Sequence, residues 1–381
     1  MAFRLLEDQF RERLSQAKSA DRRFMQLALT LGRRGLGRTG SNPAVGAVIV
    51  KDGVIVGRGW TQDGGRPHAE VEALRRAGEA ARGATLYVTL EPCSHHGRSP
   101  PCADAVVSAG VARMVSEMTD PNPDVAGQGH ARLKAAGIAV DVGLCGDEAA
   151  RDHAGHIRRM TGRRPHVILK LAVSSDDRIA AAGGRPVAIT GEAARTRVHL
   201  LRAQCDAILV GIGTVAADNP DLTCRLPGMA AQSPVRVVLD RSLRVSSDSR
   251  LVHSARTTPL WLMTSETAEA ATATRLGAAG AQVIRVPIVP AGVDLAAVLR
   301  ELSQRDVTRL LVEGGARVAA AFLSADLVDE IWLLRGLDAI GDSGVAALHD
   351  MPLSAITASP IWHARASEPL GGDTLTIYGR A

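Results

Sequence analysis

Residues 68–102 read HAEVEALRRAGEAARGATLYVTLEPCSHHGRSPPC, and the order of elements in this stretch decides the fold. An Ala/Glu/Arg-rich run over about Ala69 to Arg82 predicts a helix, the β-branched and aromatic run Thr85 to Leu90 predicts a strand, and Cys102 opens another helical run to Ala109. Helix, strand and helix in succession predict an α/β domain. Three residues at the element ends, His68, Cys93 and Cys102, are metal-ligand types. A catalytic zinc takes about three protein ligands and keeps one position open for water, so one imidazole and two thiolates complete that set. Glu70 is then a spare carboxylate, placed to carry protons. Helix starts and strand ends are also where α/β folds place ligands and charge.

His-x-Glu followed by a Pro-Cys pair is the pattern of zinc-dependent nucleobase deaminases, in which zinc activates a water and the Glu moves protons. Hydrolytic deamination is the leading chemistry. The usual short form has two residues between the cysteines; here eight intervene, Ser94 to Pro101. Two other readings stand beside it. A structural zinc would need a fourth ligand, for which His95 or His96 is available, and Cys93 and Cys102 could be buried thiols with no metal at all.

The chain has 381 residues, beyond the roughly 250 to 300 at which single cores stop growing, so two domains are expected. Its five cysteines, an odd and sparse set, argue against a disulfide framework and for a reducing cytoplasm. No 18-residue apolar run and no signal-like N-terminus occur in the sequence, which argues against membrane association. The net charge is +5, yet only four of the 45 basic residues are Lys and aromatics make up 3%. Scattered Arg with few stacking rings favours an anionic small molecule over a nucleic acid.

Outward from the opening stretch, a helix near Asp21 to Arg33 precedes an apolar strand, Val45 to Val50. The basic, Pro-terminated RRMTGRRP at 158–165 marks a boundary. It separates an extension (1–20) and a first domain (21–158) from a second domain (165–381). Strands of the second are expected at His166 to Val173, Asp206 to Val210, Val235 to Leu239, Leu260 to Met263, Gln282 to Val286, Arg309 to Val312, Glu330 to Leu334 and Thr374 to Tyr378. Helices are expected near Glu192 to Ala203, Leu295 to Gln304 and Arg317 to Leu323.

HAE at 68–70, TLEPCSHHGRSPPC at 89–102, DPNP at 120–123, LLRAQCDAILVGIGTV at 200–215 and VEGGA at 312–316 together resemble the bifunctional deaminase-reductase family of riboflavin biosynthesis, from about residue 21 to the end. The resemblance implies a cytidine-deaminase-like three-layer α/β domain followed by a dihydrofolate-reductase-like α/β domain. His68, Cys93 and Cys102 would hold one Zn2+ and Glu70 would be catalytic. Asn42, Arg98, Asp120 and Asn122 would contact a pyrimidine ribose phosphate; Asn and Asp can read a ring edge and Arg can hold a phosphate. Without the motif, Asn42-Pro43 and DPNP read as turns.

In the second half the resemblance assigns Lys170, Pro186, Arg202, Leu222, Arg225 and Glu313 to substrate. It assigns Ala172, Ala188, Thr190, Thr214, Asp218, Arg241, Gly314, Gly315, Ala316 and Arg317 to NADPH. Gly211-Ile-Gly-Thr-Val-Ala also reads as a dinucleotide fingerprint, although packing of a strand-helix turn explains its glycines equally well, and Arg202 alone, on a polar helix face, reads as a solvated charge as readily as a functional one. Gly314-Gly315 before a helix is a second phosphate cradle. Arg241, just after VRVVLD, would meet a 2′-phosphate, with Asp240 as a complicating carboxylate and Arg244 as the other cation nearby.

The implied activities are deamination of 2,5-diamino-6-ribosylamino-4(3H)-pyrimidinone 5′-phosphate and NADPH reduction of the ribosyl group to ribityl, in a cytoplasmic homo-oligomer without nucleic-acid or membrane partners. Three stretches depart from the family: Ser174-Ser175-Asp176-Asp177 where relatives often have Ser-Leu-Asp-Gly, Ala188 where some have Trp, and Gly336 to Gly341 in place of Pro-Lys-Leu-Leu-Gly. Alternatives are a tRNA or free-base deaminase with a C-terminal nucleotide-binding module, and a nucleotide sensor without turnover.

Overall fold

The computed structural model describes residues 19–97, 99–290 and 292–380. Most of the expected N-terminal extension (1–18) and Arg98 therefore lie outside the described residues. The chain divides into two compact units between Gly162 and Arg163.

The first unit is built on a five-stranded sheet in the order Val54–Trp60, Gly46–Lys51, Thr85–Val88, Arg113–Ser116, Ala139–Val142. The first three strands pair antiparallel with one another, and the third, fourth and fifth pair in parallel. Alternation along Gly46–Lys51 supplies two core faces. Ala47 and Ile49 pack with Ala69, Ala73, Ala103 and Val106 on one side; Val48 and Val50 pack with Met25, Ala28 and Leu29 on the other. Helices thus cover both faces, giving three layers.

The hairpin strand Val54–Trp60 has a weak strand signature because Gly57 and Gly59 interrupt it. Both glycines are required by the packing of helix Ala69–Ala77 on the sheet. A Cβ at Gly57 would lie 2.3 Å from the Ala73 carbonyl oxygen, and one at Gly59 2.3 Å from that of Ala69. The close approach sets the start of that helix, and with it His68 and Glu70.

The second unit holds a nine-stranded sheet. Its order is Gln282–Val286, Leu260–Ser265, Val235–Leu239, Ala207–Gly211, Arg309–Val312, His166–Val173, Glu330–Arg335, Asp373–Arg380, Trp362–Leu370. Pairing is parallel from the first of these through Glu330–Arg335 and antiparallel for the last two strands. Val167, Leu169 and Leu171 face helices Leu295–Gln304 and Ala316–Ser324, while Ile168 faces helix Glu192–Ala203. Phe322 is the largest apolar residue of the first face with no exposed surface; truncating such a residue to Ala costs about 3 to 5 kcal/mol.

All eight strands expected here form, with end shifts of one or two residues. The edge strand Trp362–Leu370 (WHARASEPL) escapes sequence reading. Its residues 363–367 are exposed, so it carries no apolar alternation.

Candidate active sites

Each ligand of the first site is placed by an element end. His68 is the N-cap of helix Ala69–Ala77, Cys93 lies in the loop after strand Thr85–Val88, and Cys102 is the first residue of helix Cys102–Ser108. Their ligand atoms all lie within 4.8 Å of one another. His68 Nδ1 is 3.3 Å from Cys102 Sγ and 3.7 Å from Cys93 Sγ. Tetrahedral zinc with ordinary Zn–N and Zn–S bonds sets N···S near ~3.6 Å, so the three atoms fit one ion.

The Cys102 backbone N–H also donates to Cys93 Sγ at 3.3 Å. Hydrogen bonding from Cys102 pulls the Cys93 thiol down to about 4, against burial, while the same contact and burial push Cys102 up. Of the two thiols, Cys102 is the one that holds its proton harder. A bound cation would favour losing it.

Glu70 is buried in the first turn of the same helix. Burial raises its carboxyl above the ordinary range, and the neighbouring His68 opposes that. A carboxylate in this position can take and return protons.

Asn42 is wedged under Gly65, where a Cβ would lie 2.3 Å from its Nδ2. Asp120 Oδ1 and Asn122 Oδ1 accept the N–H groups of Asn122 and Asp124 at 2.8 and 3.1 Å. The DPNP segment is therefore a turn whose side chains are ordered.

Sequence reasoning missed Glu91, buried directly before Pro92-Cys93. Its carboxylate accepts four backbone N–H groups: Asp120 (3.0 Å) and Gly127 (2.9 Å) at Oε2, Gly129 (2.8 Å) and His130 (3.2 Å) at Oε1. The ligand loop and the DPNP loop are thereby bolted together. An acid at the end of an apolar strand was the available signal.

In the second unit Arg202 and Glu313 form a bidentate pair at 2.8 and 3.0 Å, with Lys170 Nζ 3.9 Å from Glu313 Oε2. Burial lowers the Lys170 ammonium. Arg202 Nη1 also donates to the Thr223 carbonyl at 3.1 Å. Arg225 is exposed, and its backbone N–H donates to His199 Nδ1 at 3.3 Å. Leu222 has φ +55° and a side chain in the core, so a ligand there would meet its backbone. Pro186 and Ala188 are exposed, and Thr190 is half-buried.

Two glycine turns meet at the ends of adjacent parallel strands. The Gly315 N–H donates to Thr214 Oγ1 at 3.2 Å. A Cβ on Gly211 would lie 2.8 Å from Val318 Cγ2, and one on Gly314 2.6 Å from Val318 Cβ. Val318 thus packs against both glycines, and helix Ala316–Ser324 starts at the turn. Such a cradle fits a phosphate-bearing cofactor. Ala316 is buried and Arg317 exposed beside it, Ala172 is half-buried on the central strand, and Asp218 ends the helix that carries Thr214.

Arg241 projects an exposed side chain. The Asp240 carboxylate beside it is fully buried and accepts the Val245 N–H at 2.8 Å, which ties down its own loop. Arg244 lines a separate groove of about 290 Å³ with Ile212, Val215 and Ser246.

The family model for the cytidine and deoxycytidylate deaminase zinc-binding region matches residues 18–118, and the RibD C-terminal domain model matches 165–364. The riboflavin biosynthesis protein RibD of Escherichia coli K12 is 44% identical over 337 residues, 84% of this chain and 90% of that protein. The Aquifex aeolicus protein of the same name is 37% identical over 363 residues, 95% and 99%. Among solved structures, Acinetobacter baumannii RibD has TM-score 0.84 at 37% identity, covering 96% of this chain and 99% of that one. A Thermotoga maritima diaminohydroxyphosphoribosylaminopyrimidine deaminase/5-amino-6-(5-phosphoribosylamino)uracil reductase has TM-score 0.84 at 34% identity, covering 96% and 100%. Identity on this scale runs through both halves, in the order in which the two sites occur, and the chain therefore belongs to the RibD family of bifunctional riboflavin biosynthesis enzymes, a zinc-binding deaminase domain followed by a reductase domain.

Proposed function

We propose that the first domain deaminates 2,5-diamino-6-ribosylamino-4(3H)-pyrimidinone 5′-phosphate and that the second reduces the ribosyl group of the product to ribityl with NADPH. The observation that carries the reading is the buried Glu70 beside three convergent ligand atoms. A structural site would have no use for that carboxylate. His68, Cys93 and Cys102 would hold one zinc, which when bound lowers the pKa of water and so supplies a nucleophile.

Glu70 takes a proton from the attacking water and returns one to the departing amine. Water replaces nitrogen on the ring carbon, and ammonia leaves. Asn42, Asp120, Asn122 and Arg98 would orient the ring and its ribose phosphate.

In the second domain Lys170, Arg202, Arg225 and Glu313 would hold the ribose phosphate and ring, with Pro186 and the Leu222 backbone at the edge. The Gly314-Gly315 turn, Thr214, Thr190 and Asp218 would hold the cofactor, which supplies hydride; the matching proton needs a donor such as Lys170. Most of the rate comes from positioning. We further read the enzyme as a cytoplasmic homo-oligomer that acts on small molecules rather than nucleic acid. No helix among the described residues is long and apolar enough to cross a membrane.

The test is incubation with the pyrimidine phosphate, with and without NADPH. Ammonia release without cofactor, followed by absorbance loss at about 340 nm on adding it, is expected; ammonia without NADPH consumption would overturn the second half.

A further inference from the structure

The last helix of the first unit, Ala154–Gly162, follows one histidine and carries another, and both reach back to the site. His153 Nε2 lies 3.1 Å from both the carbonyl oxygen and the hydroxyl of Thr89, at the end of the strand that leads to Cys93. One turn on, His156 Nε2 lies 2.9 Å from Asp120 Oδ1, and both residues are buried. The same Oδ1 accepts the Asn122 N–H at 2.8 Å, and the Asp120 N–H donates to Glu91. Asp120 is held by its own turn through Asn122 and by two separate segments, at the backbone through Glu91 and at the side chain through His156. Oδ2 takes no hydrogen bond among the described residues.

We infer that His156 is a positioning residue of the deaminase site: by holding Asp120 Oδ1 it fixes the carboxylate so that Oδ2 is presented to an N–H or O–H of the substrate. The inference rests on the proposed function, in which Asp120 meets the pyrimidine ribose phosphate. In the tautomer that carries its hydrogen on Nε2 the imidazole donates and the carboxylate oxygen accepts. A free Asp side chain must be ordered each time a ligand binds; one already ordered presents its oxygen without that entropy cost. The effect belongs in substrate affinity and not in the proton transfers of Glu70.

The experiment uses the full-length, zinc-loaded chain with His156→Leu and His156→Gln. The Gln amide nitrogen restores a donor near the Nε2 position; Leu fills the space and removes it. For Leu, KM for the pyrimidine phosphate should rise on the order of 10-fold or more, the loss of one charge-assisted contact, while kcat changes much less. Gln should recover most of the KM. Amide hydrogen exchange over residues 119–123 should be faster in Leu and near wild type in Gln, with zinc at one per chain in both.

Wild-type KM and exchange in the Leu variant would overturn the inference, as would equal losses in Leu and Gln accompanied by loss of zinc. If the Leu variant does not accumulate as soluble protein, His156→Asn, too short to reach Oδ1, carries the same expectation. If the wild type releases no ammonia, the deaminase reading fails, and the exchange measurement still decides whether His156 holds the loop.

Discussion

Arg202 and Glu313, 111 residues apart in the chain, close on each other through two parallel hydrogen bonds, Nε to Oε1 at 2.8 Å and Nη2 to Oε2 at 3.0 Å. The pair joins helix Glu192–Ala203 to the end of strand Arg309–Val312. Burial alone would raise the Glu313 carboxyl; Arg202 and then Lys170 hold it down to about 2 instead. The folded value is below the ordinary 4.5, so this pair's stabilisation is full above about pH 4.5 and is lost as pH falls toward about 2.

Glu313→Gln leaves two buried cations with a neutral partner. It should destabilise the protein at pH 7 by about 3 kcal/mol. The gap between wild type and variant should close as urea unfolding is repeated from pH 5 down to pH 2.5. A gap that stays constant over that range would assign the loss to packing.

Glu70→Gln keeps the shape of the side chain and removes its proton chemistry. Ammonia release should fall by about 100- to 10,000-fold, while elemental analysis still finds one zinc per chain, since the carboxylate is not one of the three converging atoms. Loss of zinc together with activity would make Glu70 a ligand or a fold residue.

Cofactor choice separates two cations. Arg241 is exposed, whereas the neighbouring Asp240 carboxylate is buried and accepts the Val245 N–H, so it is closed to direct contact with a cofactor's ribose. A charge-assisted contact is worth about 1.5 to 3 kcal/mol, roughly 10- to 150-fold in affinity. Arg241→Ala should raise KM for NADPH by that factor and leave KM for NADH nearly unchanged. If Arg244→Ala has this signature instead, the phosphate lies in the groove beside Ile212 and Ser246.

Asp177 has a φ of +65°, the left-handed region that Gly adopts freely and Asp tolerates. Its Oδ1 lies 2.7 Å from Arg335 Nη1 in a half-exposed pair. Such pairs contribute about 0 to 1 kcal/mol, so Asp177→Gly should unfold in urea within about 1 kcal/mol of wild type. Asp177→Val should lose more, because a β-branched residue is strained at that φ. Equal stability of all three would mean that the turn relaxes.

The ligand set, the spare carboxylate and most strands of the second sheet were determined by the sequence itself. Residue type dictates metal chemistry, and continuous apolar runs such as residues 166–173 form strands of a sheet covered on both faces. The three convergent ligand-type side chains and Glu70 share a stretch of 35 residues, short enough for the spacing to show in the chain. What only the tertiary structure decided depends on contacts between distant segments. Gly315 meets Thr214 across 101 residues, Glu91 binds backbone groups up to 39 residues away, and Gly57 and Gly59 are legible only against the helix that crowds them. The strand Trp362–Leu370 carries no apolar pattern because its outer edge and most of its side chains face water. Local sequence records what a residue can do; which backbone group or charge it meets depends on the close approach of elements that the chain order does not encode.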